Sequence, residues 1–192
     1  MDQFYIGIIS YFFGSVPCGY LLTKIFLKKD IRHIGSGNIG ATNVLRTGNK
    51  ILAYSTLILD ILKTIIPVLY VKFYHHDYIY LASLCVFLGH IFPLWLKFKG
   101  GKGVASYIGI LFSLNIDFGI IFVISWIIIF FITKYSSLSS LISSLSVPIY
   151  LLFTDQLEQV SFFMIILILI LYTHRENIKR LKNRQETKTK IY

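Results

Sequence analysis

The sequence predicts an all-α fold, a polytopic bundle of transmembrane helices in which residues 1-192 make one integral membrane domain. Three observations carry this reading. More than half of the chain is apolar and only 15% is charged, a balance that a water-facing globule would leave exposed. The apolar residues lie in long uncharged runs, of which Phe118 to Thr133, FGIIFVISWIIIFFIT, is the clearest, as membrane spans require. Of the 19 Lys and Arg, 17 lie on alternate connections between those runs.

The first run, 5-22, resembles a secretory signal, but it lacks a basic amino-terminal stretch and its cations follow it at Lys24, Lys28 and Lys29; it reads as a retained span. Further spans are predicted at 51-73, 79-96, 104-113, 118-133, 138-153 and 160-173. Seven is the working count and five the smaller count that also fits. Several are shorter than the roughly 20 residues a crossing helix needs, so some are expected to be tilted, extended into their flanks or broken. In the second span Asp60 and Lys63 are three apart and share a helix face. An intramembrane charge marks function by default, but a pair so placed is expected to neutralise itself as a buried structural link. Pro93 predicts a kink, with His90 satisfying a backbone group freed there. Cys18 and Cys85 have no metal-binding spacing and read as small packing residues. The end, Arg184 to Tyr192, reads as a frayed tail.

Charge sets the expected orientation. Six Lys and Arg lie between Lys24 and Lys50, three at Lys97, Lys99 and Lys102, one at Lys134 and seven from Arg175 to Lys190, leaving Lys63 and Lys72 elsewhere. Asp2, Asp77, Asp117, Asp155 and Glu158 all fall on the opposite side. A net charge of +10 would suit a nucleic-acid groove, but this distribution is that of the positive-inside rule, and no nucleic-acid partner is expected. The amino terminus is predicted outside, with the basic loops and the carboxy terminus cytoplasmic. With the 24-50 segment and the tail after Tyr172 both cytoplasmic, the number of spans must be odd.

Three inner segments carry chemistry. The first, Gly35 to Arg46, opens with a GxGxxG spelling. That fingerprint has meaning between a strand and a helix of a parallel sheet, and flanking spans leave no room for one. Its physics survives: glycines let backbone amides converge on an anion, and Ser36, Asn38, Thr42, Asn43 and Arg46 supply donors beside them. A simple turn between helices accounts for two glycines and an asparagine, but not for this density of donors. The second, Gly89 to Ser106, is not a Walker loop, since Gly103 follows the lysine where Ser or Thr is needed. Gly100, Gly101 and Gly103 around Lys102, just before a new helix, predict a phosphate cradle of backbone amides, cation and helix amino terminus. Lys97 and Lys99 read as headgroup anchors. The third places His174 and Asn177 three apart on a continuing helix, where a neutral histidine can take a proton or simply sit at the interface. Glu176 is expected to anchor this turn through Arg175, Arg180 or an earlier loop cation. The hydroxyls of Tyr135 to Ser140, Ser140 among them, either donate to an anion or line a polar loop.

SGNIGATNVLR, GHIFPLWLKFKGGKGVA and HREN, in this order and spacing, resemble the acyl-phosphate-dependent glycerol-3-phosphate acyltransferase family of bacterial integral membrane enzymes. Gly14 to Pro17, Gly19-Tyr20 and Leu59 to Lys63 also look like family positions, so the resemblance covers nearly the whole chain. Ser106, where threonine is usual, and the serine-rich 136-144 segment depart from the pattern. The resemblance implies transfer of an acyl group from acyl phosphate to the 1-hydroxyl of sn-glycerol 3-phosphate, giving lysophosphatidic acid and phosphate, the first step of phospholipid synthesis. It implies no cofactor and no metal, a bacterial inner-membrane location amid membrane lipid, and the acyl-phosphate-producing enzyme as a candidate partner. On matching motif positions it assigns glycerol phosphate to Gly100, Gly101, Lys102 and Gly103, and acyl phosphate with its leaving group to Ser36, Asn38 and Arg46. His174 and Asn177 then polarise or deprotonate the hydroxyl, unless the substrate's own phosphate is the base. Thr42, Asn43 and Ser140 remain as further substrate-binding donors. The soluble-headed acyltransferase class, with Asp five residues after His, finds no match at any of the five histidines. The alternative is a membrane transporter for a phosphorylated anion, which would continue its polar residues into the outer loops, here short and acidic. A basic structural anchor explains the lysines but not the glycines.

Overall fold

The computed structural model describes residues 2-154 and 156-189, apart from the side chains of residues 157 and 158. It is helical, with no strand among the described residues. The helices are α1 (Asp2–Ser15), α2 (Cys18–Phe26), α3 (Ala41–Leu45), α4 (Lys50–Tyr74), α5 (Ile79–Ile91), α6 (Val104–Leu114), α7 (Ile116–Thr133), α8 (Ser136–Ser143), α9 (Ser146–Leu152), α10 (Leu157–Thr173) and α11 (Arg175–Lys182). Every expected span coincides with helix. Four stretches, Asp2–Phe26, Lys50–Tyr74, His76–Leu96 and Ile116–Thr133, are long and apolar enough to cross a membrane, and a fifth if α10 and α11, bent by 63°, count as one. Val104–Leu114 and Ser136–Leu152 are apolar but shorter. At 1.5 Å per residue, the 11 residues of α6 reach about 16 Å, half the hydrocarbon core. The expectation of short or broken spans is met. The chain divides into two compact units, through Leu114 and from Asn115.

In the first unit α1 lies against α5, and α4 against α5 and α6. Small residues permit this closeness: a Cβ on Gly14 would run into the carbonyl of Val86, and one on Gly89 into that of Tyr11. Without a hydrophobic force between helices in lipid, such backbone approach and buried polar bonds hold the bundle. Pro17 separates α1 from α2. Lys63 Nζ donates to the carbonyl of Val16 at this break, 2.6 Å away, and pairs with Asp60 Oδ1 at 2.8 Å. The expected ion pair is therefore present and buried. His90 Nδ1 stands 3.9 Å from the same Asp60 oxygen. Replacing Lys63 with methionine strands a buried carboxylate, and is expected to destabilise the protein by about 3–5 kcal/mol; Asp60→Leu together with Lys63→Met should lose much less. Thermal unfolding in detergent measures both.

Two expectations for this unit are corrected. Pro93 does not kink a running helix; α5 ends at Ile91 and Pro93 begins a 3₁₀ turn, Leu94–Leu96. The carbonyl before the proline, that of Phe92, accepts from the hydroxyl of Tyr11 at 2.7 Å, not from His90. Lys72 closes the carboxy terminus of α6, where its Nζ donates to the carbonyls of Ser113 and Leu114 at 2.7 and 3.0 Å.

In the second unit α7 packs on α8 and α9, and α9 on α10. Phe118 anchors it, meeting Phe163 edge-on with ring centres 5.5 Å apart. The serine-rich segment is helix from Ser136, two residues ahead of the expected span. Ser139, Ser140 and Ser144 each donate to the carbonyl four residues back, at 2.8, 2.9 and 2.7 Å. Such bonds satisfy hydroxyls that lipid cannot. The frayed tail is corrected as far as residue 189: Thr189 N donates to the carbonyl of Lys134 at 2.9 Å. The last three residues of the expected tail lie outside the described residues.

Candidate active site

In the first unit, the loop from Asp30 to Asn49 is organised around Asn43. Its buried amide Nδ2 donates to the carbonyls of Ile31, Ile34 and Asn38 at 3.2, 2.9 and 2.8 Å, and Oδ1 accepts from Ser36 N at 3.0 Å. Asn43 thus shapes the loop rather than presenting a donor outward. Asn38 does similar local work, its Oδ1 accepting from Gly40 N at 2.8 Å. Gly35 and Gly37 take φ of +56° and +71°, a region open to glycine at little cost. A side chain on Gly35 would crowd Arg46, whose Nη1 lies 3.1 Å from the position of the missing Cβ. What this leaves outward is Ser36, Thr42 and Arg46, all exposed.

The second motif is a turn from Pro93 to Gly103. Lys97 and Phe98 have φ of +53° and +61°, a costly pair for non-glycine residues. They fold the chain back so that Gly100 N and Gly101 N donate to the carbonyls of Ile91 and His90, each at 3.1 Å. The expected cradle is corrected here: those two amides close the carboxy terminus of α5 and are not turned to an anion. The two glycines serve by lacking side chains, since a Cβ on Gly100 would overlap the His90 carbonyl and the Pro93 ring, and one on Gly101 the His90 imidazole. Gly103, at φ +88° against the Phe87 ring, opens directly into α6. Lys102 is half-buried while Lys97 and Lys99 are exposed.

These two motifs share an apolar floor of Ile31, Ile39, Val44, Leu52, Ala53 and Leu96. Beside it, Val16, Pro17, Tyr20, Leu21, Arg32, Trp95 and Leu96 line a cavity of 390 Å³. Arg32 stands 2.6 Å from Asp30, and its hydrogen-bonded guanidinium holds the Asp30 carboxyl well below the usual carboxylate range.

In the second unit, His174 sits at the 63° bend between α10 and α11, not on a continuing helix. His174 and Asn177 are both buried. The Nδ1 of His174 is 2.9 Å from the carbonyl oxygen of Ile170. A carbonyl only accepts, so Nδ1 carries a proton, and in the neutral ring Nε2 is the nitrogen that holds the lone pair. The Ser140 hydroxyl donates to Ser136 and accepts from Trp126 Nε1 at 3.0 Å, a local arrangement within α7 and α8.

Glu186 is the residue that sequence reasoning missed. Its Oε1 accepts from Asn177 Nδ2 at 2.7 Å and Ser137 Oγ at 2.9 Å, and its Oε2 from Arg180 Nε at 2.6 Å. Arg180 thus pairs with Glu186, not with the expected Glu176. Burial pushes the Glu186 carboxyl up, but Arg180, Asn177 and Ser137 together hold it below its ordinary value. The available signal was one acid in an otherwise basic tail.

Comparison with known proteins agrees along nearly the whole length. Residues 4–184 match the family described as glycerol-3-phosphate acyltransferase. A glycerol-3-phosphate acyltransferase of Pelagibacter ubique is 65% identical over 192 residues, covering 100% of both chains. One of Bartonella henselae is 48% identical over 189 residues, covering 95% of this chain and 90% of that one. The crystal structure of PlsY (YgiH), an integral membrane glycerol 3-phosphate acyltransferase, in its glycerol 3-phosphate form, superposes with a TM-score of 0.91 at 35% identity, over 98% of this chain and 96% of that one. Its lysophosphatidic acid form gives 0.88 at 34% identity, over 98% and 95%. The chain, a multi-pass membrane protein, belongs to the glycerol-3-phosphate acyltransferase family.

Proposed function

We propose that this protein transfers a fatty acyl group from acyl phosphate to the 1-hydroxyl of sn-glycerol 3-phosphate, releasing phosphate and lysophosphatidic acid. The observation that carries the reading is family membership over residues 4–184, joined to a glycine-set Lys102 and an Arg46 held outward in the same unit. Membership also sets aside the transporter alternative.

Acyl phosphate is already activated, so the chemistry needs alignment and charge stabilisation, not a covalent enzyme nucleophile. The glycerol hydroxyl oxygen attacks the carbonyl carbon, the bond from that carbon to the phosphate oxygen breaks, and the hydroxyl proton passes to His174 Nε2. Arg46 and Ser36 neutralise the departing phosphate, with Asn38 and Thr42 beside them. Lys102 holds the glycerol phosphate within the loop that Gly100, Gly101 and Gly103 shape. Asn43 acts through the first loop's form, and Ser140 donates to substrate only by exchanging its bond to Ser136. Asn177 orients the hydroxyl. In this reading the whole chain works as one membrane domain in the bacterial inner membrane, its amino terminus outside and its motif loops and carboxy terminus cytoplasmic. It receives acyl phosphate from the enzyme that makes it.

Purified protein given acyl phosphate and glycerol 3-phosphate should release phosphate and form lysophosphatidate in equal amounts; turnover with acyl-CoA instead refutes the donor. In the same assay Lys102→Ala is expected to raise the glycerol 3-phosphate KM by about tenfold or more, the worth of a charge-assisted hydrogen bond. Lys97→Ala should leave it within twofold of wild type, about the effect of an exposed charge; equal effects would undo the separation of cradle from anchor.

A further inference from the structure

We propose that Glu186 is a positioning residue for acyl transfer, fixing the Asn177 side chain so that its oxygen, not its nitrogen, faces the glycerol hydroxyl. The proposal rests on the reading of Asn177 as the residue that orients this hydroxyl.

Three donors converge on the one carboxylate. Ser137 comes from α8, Asn177 and Arg180 from α11, and Glu186 from the stretch that follows α11. The Glu186 side chain is only 8% exposed. The chain beyond it is held as well, by the bond from Thr189 N to Lys134. The end of the chain therefore straps α11 to α8 within the second unit.

The chemistry of the contact decides which way the amide points. A carboxylate accepts and does not donate, so it tolerates only the NH₂ side of Asn177. Oδ1 is thereby turned away from Glu186, and makes no hydrogen bond among the described residues. An oxygen in that position shares the hydrogen of the attacking hydroxyl with His174 Nε2, so that the hydroxyl is aligned while its lone pair stays free for the carbonyl carbon. A flipped amide would donate to the hydroxyl oxygen and weaken it as a nucleophile. Asparagine alone has little preference between these two orientations, because its two ends are nearly the same size. Arg180 keeps Glu186 ionised and so keeps the choice fixed.

The test uses the full-length purified enzyme. Glu186→Ala is expected to lower kcat about ten- to hundredfold, as misplacement of an orienting group does, with the glycerol 3-phosphate KM nearly unchanged. Combined with Asn177→Ala it should lower kcat no further than Asn177→Ala does. Glu186→Gln, whose one oxygen can face Asn177 and Ser137 or Arg180 but not both, should recover only part of the loss. An exchange of roles gives the sharper result. Asn177→Asp sets two carboxylates against each other, and adding Glu186→Gln restores a donor between them. The double variant should then turn over about tenfold faster than Asn177→Asp, the worth of one such bond. Equal kcat for those two variants, or normal kcat in Glu186→Ala with only a lower melting temperature, overturns the proposal. Failure of the wild type to acylate glycerol 3-phosphate would instead overturn the function on which it rests. Loss of activity in Asn177→Ala with none in Glu186→Ala removes this inference alone.

Discussion

Replacement of His174 by alanine is expected to lower kcat for acylation of glycerol 3-phosphate by about 10²- to 10⁴-fold, the contribution of a positioned general base. The KM for glycerol 3-phosphate should change little. The geometry explains both halves of the expectation. The Ile170 carbonyl takes the proton on Nδ1 at 2.9 Å, which leaves the other ring nitrogen with the lone pair that a hydroxyl proton needs. The same carbonyl also accepts from the backbone nitrogen of His174 at 3.0 Å, so it keeps a partner in the alanine variant. Because the His174 side chain is fully buried, its loss also leaves a cavity and should lower the melting temperature, so the kinetics are read well below that temperature. Initial-rate kinetics with both substrates varied decide the matter. A fall of less than tenfold would transfer the role of base to the phosphate of the substrate itself.

Gly100→Ala is expected to raise the glycerol 3-phosphate KM by about 10²-fold or more, since displacement of a binding loop by an ångström costs that much. The new methyl group would enter space held by the carbonyls of His90 and Ile91 and by the Pro93 ring. None of these is the far end of a flexible side chain. The carbonyls are fixed by the bonds they accept from Gly101 N and Gly100 N, so relief requires the turn to move, and Lys102 moves with it. Gly7→Ala is the control, because its Cβ would meet only Cys85 Sγ at an ordinary 3.5 Å. Equal kinetics for the two variants would mean that the turn adapts, and that the glycine is not needed to place the lysine.

Much of the fold was legible along the chain because lipid imposes a simple rule. Backbone groups must be bonded within each segment, so a long uncharged run such as Phe118 to Thr133 has little choice but helix. Asp60 and Lys63 were legible as a pair for a related reason: helix geometry puts residues three apart on one face. Local rules failed where a partner came from far along the chain. Nothing near Pro93 announces that Tyr11, 81 residues from Phe92, supplies the missing donor. The hydroxyls of Tyr135 to Ser140 left two readings open, anion donor or polar loop, since spacing alone cannot say that those of Ser139 and Ser140 will bond to the preceding turn.

The candidate site divides in the same way. The residue types fit for anion binding and proton transfer, Ser36, Arg46, Lys102, His174 and Asn177, stand out from the sequence because glycine settings and interfacial positions are local properties. Their division of labour does not. The Gly100 and Gly101 amides looked available for phosphate until the turn set them against α5, and Asn43 looked like a ligand until three carbonyls from its own loop surrounded it. Glu186 resembled any acid in a basic tail. The helices, the buried ion pair and the chemical types gathered in the motifs follow from near neighbours and from the solvent, and are readable along the chain. Which amides are already bonded, which way the Asn177 amide turns and which cation Glu186 meets depend on the folded arrangement. Hydrogen-bond capacity is finite, and which partner takes it depends on where distant segments come to rest.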